Sequence, residues 1–372
     1  MVLFLHNRYR TTGGEERTVE NLLWLVREHV GEPAELLERD SAAIGRARAA
    51  LGLVRGGLDA AQVAAALRSS GARVLHAHNL QPAFGWRALA AARTRGTRVV
   101  LHLHQYRLVC AVGVCFTHGR ECTRCHGRNT LPGVRLNCRG SAAEAAAYGA
   151  SLSLWQRRLV EQADAVIVPS RFARERLRAL GAPLAWERVR VLAPPLRAAE
   201  PDPAADVPAG PYALVVARLS AEKGVEVAID ACRMAGMPLV VAGDGPERAR
   251  LATRAAGGAV RFVGRVDAGR LAALRAGAAL ALAPSRFGET FGMSLAEAMA
   301  AGLPVIASRV GSHPELVDSD GLVAAGDARE LASAIERLAG DREAGERGRR
   351  RVLALCSPAV VARGLAEVYD GT

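Results

Sequence analysis

The strongest constraint on the fold is a series of short apolar runs, each bounded by turn residues and followed by a helical stretch. In the second half of the chain these runs are YALVVAR, PLVVAGDG, VRFVG, LALAPS and PVIAS. Runs that are apolar throughout, without alternation, are typical of strands buried on both faces of a parallel sheet. The first half repeats the rhythm with VLFLHN, RVLHAHN, RVVLHLHQ, AVIVPS and VRVLAPP. Both halves are therefore predicted to be doubly wound, Rossmann-like α/β domains that bind ligands at the carboxyl ends of their strands.

A proline-rich segment separates the two halves. With 372 residues the chain exceeds the size at which a single hydrophobic core keeps growing, so two domains are expected. Residues 197–211, RAAEPDPAADVPAGP, have the composition of a linker. We predict an N-terminal domain over 1–205, with a cysteine-rich insert at 107–140, and a C-terminal domain over 206–356.

The net charge of +12 is carried unevenly by the two halves. Residues 1–200 contain 29 arginines against 16 acidic residues, whereas residues 201–372 contain 20 basic against 21 acidic residues. A basic half indicates an anionic partner, although an arginine-rich solvated surface is the alternative. No apolar run approaches the ~20 residues of a membrane span, and His6 comes too early for a secretory signal. We therefore expect a cytoplasmic protein with reduced thiols.

Two glutamates lie near a predicted helix start in SRFGETFGMSLAEAMAAGLPVIAS. Glu289 is in the loop after the LALAPS strand, and Glu297 is more than one turn into the helix that begins near Gly292. Backbone N–H groups at such a start form an anion site, which the helix dipole reinforces. Carboxylates beside a phosphate site are suited to accept hydrogen bonds from hydroxyl groups. The pattern therefore indicates a ligand with both phosphates and hydroxyls, such as a nucleotide sugar. The alternative is a pair of glutamates that only stabilises the helix dipole.

Lys223, in LVVARLSAEKGVEVAID, is the single lysine among 49 basic residues. Its compact ammonium differs in shape and hydration from the guanidinium that the chain uses everywhere else. Either the position requires a point charge, or the lone lysine is an accident of composition.

Taken in order, these segments resemble glycosyltransferase family 4, which comprises retaining enzymes of GT-B architecture. The E-x7-E pattern of Glu289 and Glu297, within PSRFGETFG and EAMAAGLPVIAS, carries the resemblance most strongly. Matches continue along nearly the whole chain in HNRYRTTGGEE, LHQYRLVC, VARLSAEKG, VAGDGP and GDARELASAIERLAGD. The resemblance implies two Rossmann-like domains facing each other across a cleft, with the nucleotide-sugar donor bound by the C-terminal domain and the acceptor by the N-terminal domain. It also implies that residues 357–372 form a helix returning to the N-terminal domain.

The resemblance also implies roles for individual residues. Arg218 and Lys223, as an R-x4-K pair, would bind the donor diphosphate and stabilise the leaving group without a metal ion, which gives the lone lysine a function. Glu289 would accept hydrogen bonds from sugar hydroxyls, and Glu297 from ribose hydroxyls. His104 would face the sugar and the reacting centre, the alternative being a structural histidine at a strand end. The remaining donor-binding positions are Gly13, Gly14, Gly243, Asp244, Gly245, Phe291, Gly292 and Met293.

The sequence contains no convincing protein nucleophile. The resemblance implies front-face attack, in which the donor's own phosphate accepts the proton of the acceptor. The DSD at residues 318–320 matches the D-x-D of metal-dependent transferases, but Gly321 follows it and a turn is predicted. No catalytic metal is therefore expected. The co-substrate would be a GDP- or UDP-linked sugar, and the acceptor a soluble small molecule, a polysaccharide precursor or a lipid-linked glycan.

Five cysteines fall between residues 110 and 138, and Cys122 and Cys125 have the C-x2-C spacing of a metal knuckle. Together with Cys110 and Cys138 they are predicted to form a four-thiolate structural zinc set, with free thiols and disulfides as the alternatives. The residues that could substitute in this set are Cys115, His118 and His126.

The sequence alone leaves two other classes of function open. A basic zinc loop could bind nucleic acid, although Phe116 is its single aromatic residue, which argues against base stacking. The same fold could bind a sugar nucleotide without catalysis. Arg171, Arg174 and Arg178 lie along one side of a predicted helix, so peripheral contact with the inner face of a membrane is a further hypothesis.

Overall fold

The computed structural model describes residues 1–9 and 13–372. The chain divides into two compact units. The first unit comprises Met1–Thr117, Cys122–Pro195 and Pro358–Thr372. The second unit comprises His118–Glu121 and Leu196–Ser357.

The first unit is built on a six-stranded parallel sheet. The strands up to residue 195 are β1 (Val2–Arg8), β2 (Ala34–Asp40), β3 (Val74–Ala77), β4 (Arg98–His102), β5 (Phe116–Thr117), β6 (Arg120–Glu121), β7 (Ala165–Val168) and β8 (Val189–Val191). The order across the sheet is β2-β1-β3-β4-β7-β8, and all neighbouring strands are parallel. The direction of strand order therefore reverses between β1 and β3, where a doubly wound sheet opens a ligand crevice at its carboxyl edge.

Helices connect these strands and cover both faces of the sheet. They are α1 (Gly14–Leu25), α2 (Arg46–Arg55), α3 (Ala60–Ser70), α4 (Gly85–Arg93), α5 (Leu131–Arg135), α6 (Ala142–Glu161) and α7 (Arg171–Ala179). Strand β1 shows how the sheet is stabilised, because successive side chains point to opposite faces. Leu3 and Leu5 are buried in one apolar cluster, whereas Val2 and Phe4 are buried in another. This burial on both faces is what the uninterrupted apolar runs predict.

The second unit repeats this design. Its strands are β9 (Ala213–Val216), β10 (Leu239–Ala242), β11 (Val260–Gly264), β12 (Leu280–Ala283), β13 (Val305–Ser308) and β14 (Leu322–Val323). Its helices are α8 (Val225–Met234), α9 (Arg248–Ala255), α10 (Ala268–Gly277), α11 (Met293–Ala300), α12 (His313–Leu316), α13 (Ala328–Leu338) and α14 (Arg342–Cys356). The order is β11-β10-β9-β12-β13-β14, again parallel throughout, so strand order reverses between β9 and β12. The predicted fold class, two doubly wound parallel-sheet α/β domains, is confirmed.

A final helix, α15 (Pro358–Asp370), belongs to the first unit although it follows the second in sequence. Val361, Leu365 and Tyr369 are fully buried in the apolar cluster that contains Phe4 of β1. The Tyr369 hydroxyl lies 2.7 Å from Nδ1 of His76 on β3. Counted as one helix, Arg342–Asp370 is long and apolar enough to cross a membrane by length and composition, but its last turns pack into this core.

The edge strands β2 and β14 were not predicted from the sequence. Strand β2, AELLERD, alternates between buried and exposed positions and carries four charged residues. Because an edge strand is solvated along one side, its sequence lacks the apolar run that marks the central strands. The alanine-rich region 41–70 is helical as predicted, but it forms two helices separated by Gly56 and Gly57, both with positive φ.

Candidate functional site

In the second unit, the predicted donor-binding residues lie in loops that leave the carboxyl ends of adjacent strands. Arg218 and Lys223 follow β9, and Glu289 follows β12, the two strands between which the strand order reverses. This is where ligands bind in doubly wound sheets. The fold thus places together residues that are far apart in the sequence.

The two loops are held together by their backbones. The amide of Arg286 donates to the Glu222 carbonyl at 2.8 Å. Gly224 has a φ of +63°, and a Cβ there would lie 2.1 Å from the Pro284 carbonyl oxygen. Only glycine permits this approach, which explains the residue after Lys223.

Lys223 and Glu289 form an ion pair across these loops. The Lys223 Nζ atom lies 2.9 Å from Oε1 of Glu289, and it also lies 5.2 Å from the centre of the Phe287 ring. Both side chains are mostly buried, with 23% and 13% of their surfaces exposed. The Ser285 hydroxyl donates to the same carboxylate oxygen. The lone lysine of the sequence is therefore a charge fixed at the carboxyl edge of the sheet.

Glu289 remains ionised in spite of its burial. Burial by itself raises the pKa of this carboxyl, but the charge of Lys223, the neighbouring His313 and the Ser285 hydrogen bond outweigh it and lower the pKa to about 2. A carboxylate that stays charged at neutral pH only accepts hydrogen bonds. It is suited to hold hydroxyl groups.

Arg218 is paired in the same way with a buried glutamate. Its guanidinium lies 2.5 Å from Oε1 of Glu222, and the Ser220 hydroxyl donates to that oxygen at 2.7 Å. Burial raises the pKa of Glu222, but the hydrogen bond from Ser220 and the charge of Arg218 lower it further than burial raises it. Since 43% of the Arg218 side chain is exposed, its guanidinium is accessible to a ligand.

Helix α11 begins at the end of the Glu289 loop, as predicted. Gly292 precedes it with a φ of +90° and has no side chain with which to cap the helix. The first backbone N–H groups, beginning with Met293, have no acceptor within the helix itself, and it is here that the sequence predicts an anion site. Ser312 fixes this loop, because its hydroxyl donates to the Phe291 carbonyl and its amide donates to the Glu289 carbonyl.

His313 is a site residue that the sequence did not reveal. It is fully buried, and its Nδ1 lies 2.9 Å from the Ser308 carbonyl, to which it donates. Among the residues that the structure describes, its Nε2 has no hydrogen-bond partner, and it lies 3.9 Å from Oε1 of Glu289. Burial lowers the pKa of His313, although Glu289 partly opposes this. The only signal in the sequence was the histidine in GSHPE, and the sequence alone cannot show whether such a histidine contacts a site or is purely structural.

Glu297 is paired with a different cation, Arg275. Its carboxylate is paired with the guanidinium of Arg275 on α10, and both side chains are about nine-tenths buried. This partner orients the carboxylate predicted to hold ribose hydroxyls.

The predicted Gly243–Gly245 turn after β10 packs on the loop that follows β9. Gly243 has a φ of +141°, and a Cβ there would lie 1.9 Å from the Ala217 carbonyl oxygen. The Leu219 amide donates to the Asp244 carbonyl at 3.0 Å. The turn is thus attached to the segment that carries Arg218, while the Asp244 side chain is exposed.

The first unit has a polar network at its own point of strand reversal. Gly13 and Gly14 lie at the start of α1, where the Gly13 amide donates to Oε2 of Glu16 at 2.7 Å. The Tyr9 hydroxyl donates to Oε2 of the buried Glu15 at 2.9 Å, and Gln105 donates to the same oxygen at 3.2 Å. Burial raises the pKa of Glu15. Sequence reasoning named the glycines but missed this network, whose members lie 90 residues apart.

His104 belongs to a cluster of stacked histidines that lie on β3 and β4 or directly after these strands. Its Nε2 lies 2.8 Å from Nδ1 of His78, and its ring stacks on His102 at 4.2 Å between centroids. Deeper in the sheet, Nε2 of His76 lies 3.2 Å from Nδ1 of His102. Burial, reinforced by neighbouring histidines, lowers the pKa of His104, His78 and His102 well below the usual value and that of His76 to about 3. His104 is therefore a neutral imidazole at physiological pH.

Three of these histidines, His76, His78 and His102, have ligand atoms within 4.8 Å of one another. Their rings are stacked, with interplanar angles of 7° to 28° and centroids 4.5 to 5.4 Å apart. Imidazole lone pairs lie in the ring plane, so stacked rings do not converge on one ion. The cluster is instead held by ring stacking, by the hydrogen bond between His76 and Tyr369 and by the one between His76 and His102.

The predicted metal ligands Cys110, Cys122, Cys125 and Cys138 line one small cavity together with Cys115. All seven cysteines of the chain are free thiols. The DSD segment forms a 3₁₀ turn, as predicted, in which Asp318 and Asp320 are paired with Arg351 and Arg347.

Two parallel doubly wound sheets, one with charged loops at its carboxyl edge, are the architecture of GT-B glycosyltransferases. The fold is shared with sucrose-phosphate synthase from Thermosynechococcus elongatus, at a TM-score of 0.71 and 20% identity over 100% of this chain and 98% of that one. It is also shared with a glycosyltransferase from Rickettsia africae, at a TM-score of 0.66 and 14% identity.

Two glycosyltransferase family descriptions match the sequence. "Glycosyl transferase 4-like domain" matches residues 11–195, and "Glycosyl transferases group 1" matches residues 210–341. The chain belongs to glycosyltransferase family 4, and the predicted family is confirmed.

Curated relatives match over parts of their length. A Mycobacterium tuberculosis "GDP-mannose-dependent alpha-(1-6)-phosphatidylinositol dimannoside mannosyltransferase" is 39% identical over 140 residues, which is 36% of this chain and 36% of that protein. A "GDP-mannose-dependent alpha-mannosyltransferase" of Mycolicibacterium smegmatis is 32% identical over 251 residues, or 62% of this chain and 64% of that protein. The chain thus spans about a third of the length of the first of these relatives and less than two thirds of the second.

Proposed function

We propose that this chain transfers a hexose, with retention of anomeric configuration and without a catalytic metal, from a nucleotide sugar to an acceptor hydroxyl. GDP-mannose is the first donor to consider, because the curated relatives above are named as GDP-mannose-dependent. A UDP-linked sugar is the second. The donor would bind in the second unit and the acceptor in the first.

The observation that carries the proposal is the set of paired charges at the carboxyl edge of the second sheet. Arg218 and Lys223 are each held against a carboxylate, Glu222 and Glu289, so their positions are fixed before a ligand arrives. A leaving nucleoside diphosphate gains negative charge as the glycosidic bond breaks. Fixed cations stabilise that charge without reorganisation, and each is typically worth ~3 kcal/mol.

The neighbouring groups suit the rest of a sugar nucleotide. Phosphate oxygens would accept from the backbone N–H groups at the start of α11, next to Gly292. Glu289, which stays ionised, would accept from sugar hydroxyls. Glu297 would accept from the ribose while Arg275 orients it. The Gly243–Gly245 turn would pack against the nucleotide.

Arginine pairing at the DSD turn supports metal independence. Asp318 and Asp320 each contact an arginine of α14, which neutralises the carboxylates that a D-x-D motif would offer to a cation. Lys223 and Arg218 would supply the positive charge instead. Attack on the front face, with the donor phosphate accepting the proton, would need no protein nucleophile.

The acceptor would meet neutral polar groups in the first unit. His104 is held uncharged beside His78, so it would donate or accept hydrogen bonds with hydroxyls without adding charge. A nucleic-acid acceptor is disfavoured, because arginines of the basic loop turn inward: Arg139 stacks 3.7 Å from the centre of the Tyr148 ring, and Arg107 lies over Tyr9. A soluble small molecule, a polysaccharide precursor or a lipid-linked glycan remain the acceptor classes, with peripheral membrane contact in the last case.

The test is a calorimetric titration of the full chain with GDP and with UDP. We expect one nucleotide to bind tightly, and Lys223→Met to weaken it at least tenfold by removing the fixed ammonium. Lys223→Arg tests the requirement for a compact charge and should recover only part of the affinity. The matched control is Arg261→Ala, which removes a cation of β11 that is paired with Asp206, and this variant should bind like the wild type.

The lone lysine also permits a direct readout. Reductive ¹³C-methylation of the protein labels only the α-amino group and Lys223, so one methyl signal reports the site. A shift of that signal on adding the nucleotide supports the proposal. Nucleotide binding without turnover of any GDP- or UDP-sugar would favour the non-catalytic alternative, and no binding of either nucleotide would contradict the donor site.

A further inference from the structure

The cysteine-rich segment between β4 and α6 has little regular structure to stabilise it. Over residues 103–141 it contains only two strands of two residues and the five-residue helix α5. Connections of this length without secondary structure are uncommon in compact domains. Loop-rich segments that cannot build a core are usually held by cross-links, either disulfides or metal ions.

Five cysteines of this segment surround one cavity of about 20 Å³. That volume is close to what a single water molecule or ion needs, and it is too small for an iron–sulfur cluster. Apart from the sulfurs, the cavity is lined mainly by apolar groups such as Ala111, Val112 and Leu136. The five thiols are all free, so disulfides do not supply the cross-link.

Four of these cysteines, Cys110, Cys122, Cys125 and Cys138, have the number of sulfurs and the C-x2-C spacing of a four-thiolate set. They span 29 residues of sequence, and the fold brings all of them to the lining of this one cavity. A cation among them would supply the positive charge that thiolates in an apolar cavity require.

The fifth sulfur has a different role. The Cys115 thiol donates a hydrogen bond to the Cys110 sulfur, which also accepts from the amides of Cys115, Val112 and Gly113. Amides directed at a sulfur are the partners expected around a metal-bound thiolate. Cys115 therefore belongs to the surroundings of Cys110 and not to the ligand set.

The backbone of the segment is strained. Cys115, His118 and Asn137 have φ values of +52°, +50° and +44°, and they are the only non-glycine residues with positive φ in residues 1–9 and 13–372. Such conformations persist where the surrounding structure over-determines them. All three lie among the cysteines, where a cross-link would hold them.

We propose that Cys110, Cys122, Cys125 and Cys138 bind one Zn²⁺ ion as a closed four-thiolate structural site. Four soft sulfur ligands in a tetrahedral set select zinc, and a closed set leaves no position for substrate. The ion takes the place of the Cys115 thiol as the main partner of the Cys110 sulfur. It binds as a cation to four deprotonated thiols, releasing their protons to solvent.

The ion would also fix part of the polar network of the first unit. The turn that begins at Cys110 packs on Gln105, since a Cβ on Gly113 would lie 2.4 Å from the Gln105 side-chain oxygen. Gln105 in turn donates to Glu15. Zinc in this loop therefore stabilises residues at the carboxyl edge of the first sheet without touching the reacting groups.

The test is the zinc content of the untagged full chain, measured by mass spectrometry of the metal after gel filtration. We expect one zinc per chain. Serine substitution of Cys110, Cys122, Cys125 or Cys138 should each lower the content by more than half, whereas Cys115→Ser and the distant Cys232→Ser should retain it. Because a ligand variant could unfold, the wild type is also reconstituted with Co²⁺, whose visible spectrum reports tetrahedral thiolate coordination directly.

Four outcomes would overturn the proposal. They are no zinc with five reactive thiols in the segment, a disulfide detected by mass, loss of zinc in Cys115→Ser equal to that in Cys110→Ser, and a cobalt spectrum without thiolate charge-transfer bands. The result is independent of the proposed transferase activity, which is tested at Lys223.

Discussion

At the scale of single residues, the candidate donor site depends on a few charges that hold one another in place. Glu289 stays ionised because Lys223 and Ser285 contact it, and Lys223 is fixed because Glu289 accepts from it. His313 adds a ring nitrogen 3.9 Å from the same carboxylate, and this nitrogen has no hydrogen-bond partner in residues 1–9 and 13–372. Removing any one of these groups therefore changes the others.

The lowered pKa of Glu289 predicts a pH-dependent contribution to stability. The folded-state pKa is about 2 and the ordinary value is 4.5, so the stabilisation is complete above pH 4.5 and is lost as the pH falls toward 2. Glu289→Gln should destabilise the second unit by up to about 3 kcal/mol at neutral pH and by nothing near pH 2.

This difference can be measured by scanning calorimetry across pH. The four tryptophans, Trp24, Trp86, Trp155 and Trp186, all lie in the first unit, so the transition without a change in tryptophan fluorescence belongs to the second. The exposed Glu343→Gln is the control. A pH-independent difference between wild type and Glu289→Gln would show that the carboxylate is not held by charge.

At the scale of elements, loops at the carboxyl edge of the second sheet approach each other so closely that glycine is required. Gly311 has a φ of +59°, and a Cβ there would lie 2.4 Å from the Glu289 amide nitrogen. Gly302, at the end of α11, has a φ of +80° with nothing within 4 Å of its Cβ position. Comparing substitutions at these two glycines therefore separates the effect of backbone strain from the effect of steric collision.

We therefore predict different consequences for alanine at these two glycines. Gly302→Ala should cost about 1 kcal/mol of stability through its φ and leave nucleotide affinity unchanged. Gly311→Ala should displace the Glu289 loop and weaken GDP or UDP binding at least tenfold. Thermal unfolding and calorimetric titration measure both effects. Equal affinities for the two variants would mean that the loop accommodates the added carbon.

A second prediction for these elements concerns the stacked histidines on and directly after β3 and β4. The pKa values of His76, His78, His102 and His104 are all lowered by burial, so the unfolded chain binds more protons than the folded one as the pH falls below about 6.5. Their contribution to the free energy of unfolding is complete above that pH and is lost below it. The free energy would fall by up to ~5 kcal/mol per pH unit if all four histidines took up a proton on unfolding.

Urea unfolding followed by tryptophan fluorescence reports this loss, because it monitors the first unit. His102→Asn should reduce the slope between about pH 6.5 and pH 5 by one proton. A flat stability profile over this range would contradict the assignment of neutral, buried imidazoles. Acidic groups with lowered pKa, such as Glu289, act only below pH 4.5, whereas Glu15, whose pKa burial raises, opposes the slope by at most one proton.

At the scale of the whole molecule, the chain completes its first unit only with its last residues. Helix α15 buries Val361, Leu365 and Val368 against the first sheet, and Tyr369 contacts His76. Arg73 reaches the same helix through an ion pair of 3.0 Å with Asp370. The first unit is therefore incomplete without the segment that follows the second.

Deletion of Pro358–Thr372 should destabilise the first unit by ~6 kcal/mol or more, since each buried apolar side chain is worth about 1.5–3 kcal/mol. This is a large part of the stability of a domain. The tryptophan-detected urea transition should shift to lower concentration or disappear, while deletion of Gly371–Thr372 alone should have little effect. An unchanged midpoint would show that α15 is dispensable.

Much of this structure could be predicted because local patterns report burial. Uninterrupted apolar runs indicated the central strands, and Gly292 marked the start of α11. The edge strand β2 could not be predicted, because its alternating polar residues resemble those of a helix or loop. The Glu15 network and His313 were missed for another reason, since their partners come from distant segments that sequence spacing does not bring together.

The sequence by itself determined the two doubly wound sheets, the family and the residue types at the carboxyl ends of the strands, because these depend on local periodicity and short motifs. The tertiary structure decided which charges meet. It paired Lys223 with Glu289, Arg218 with Glu222 and Glu297 with Arg275, and it gathered the cysteines around one cavity. Electrostatic interactions and burial depend on distances through space, which only the folded chain defines.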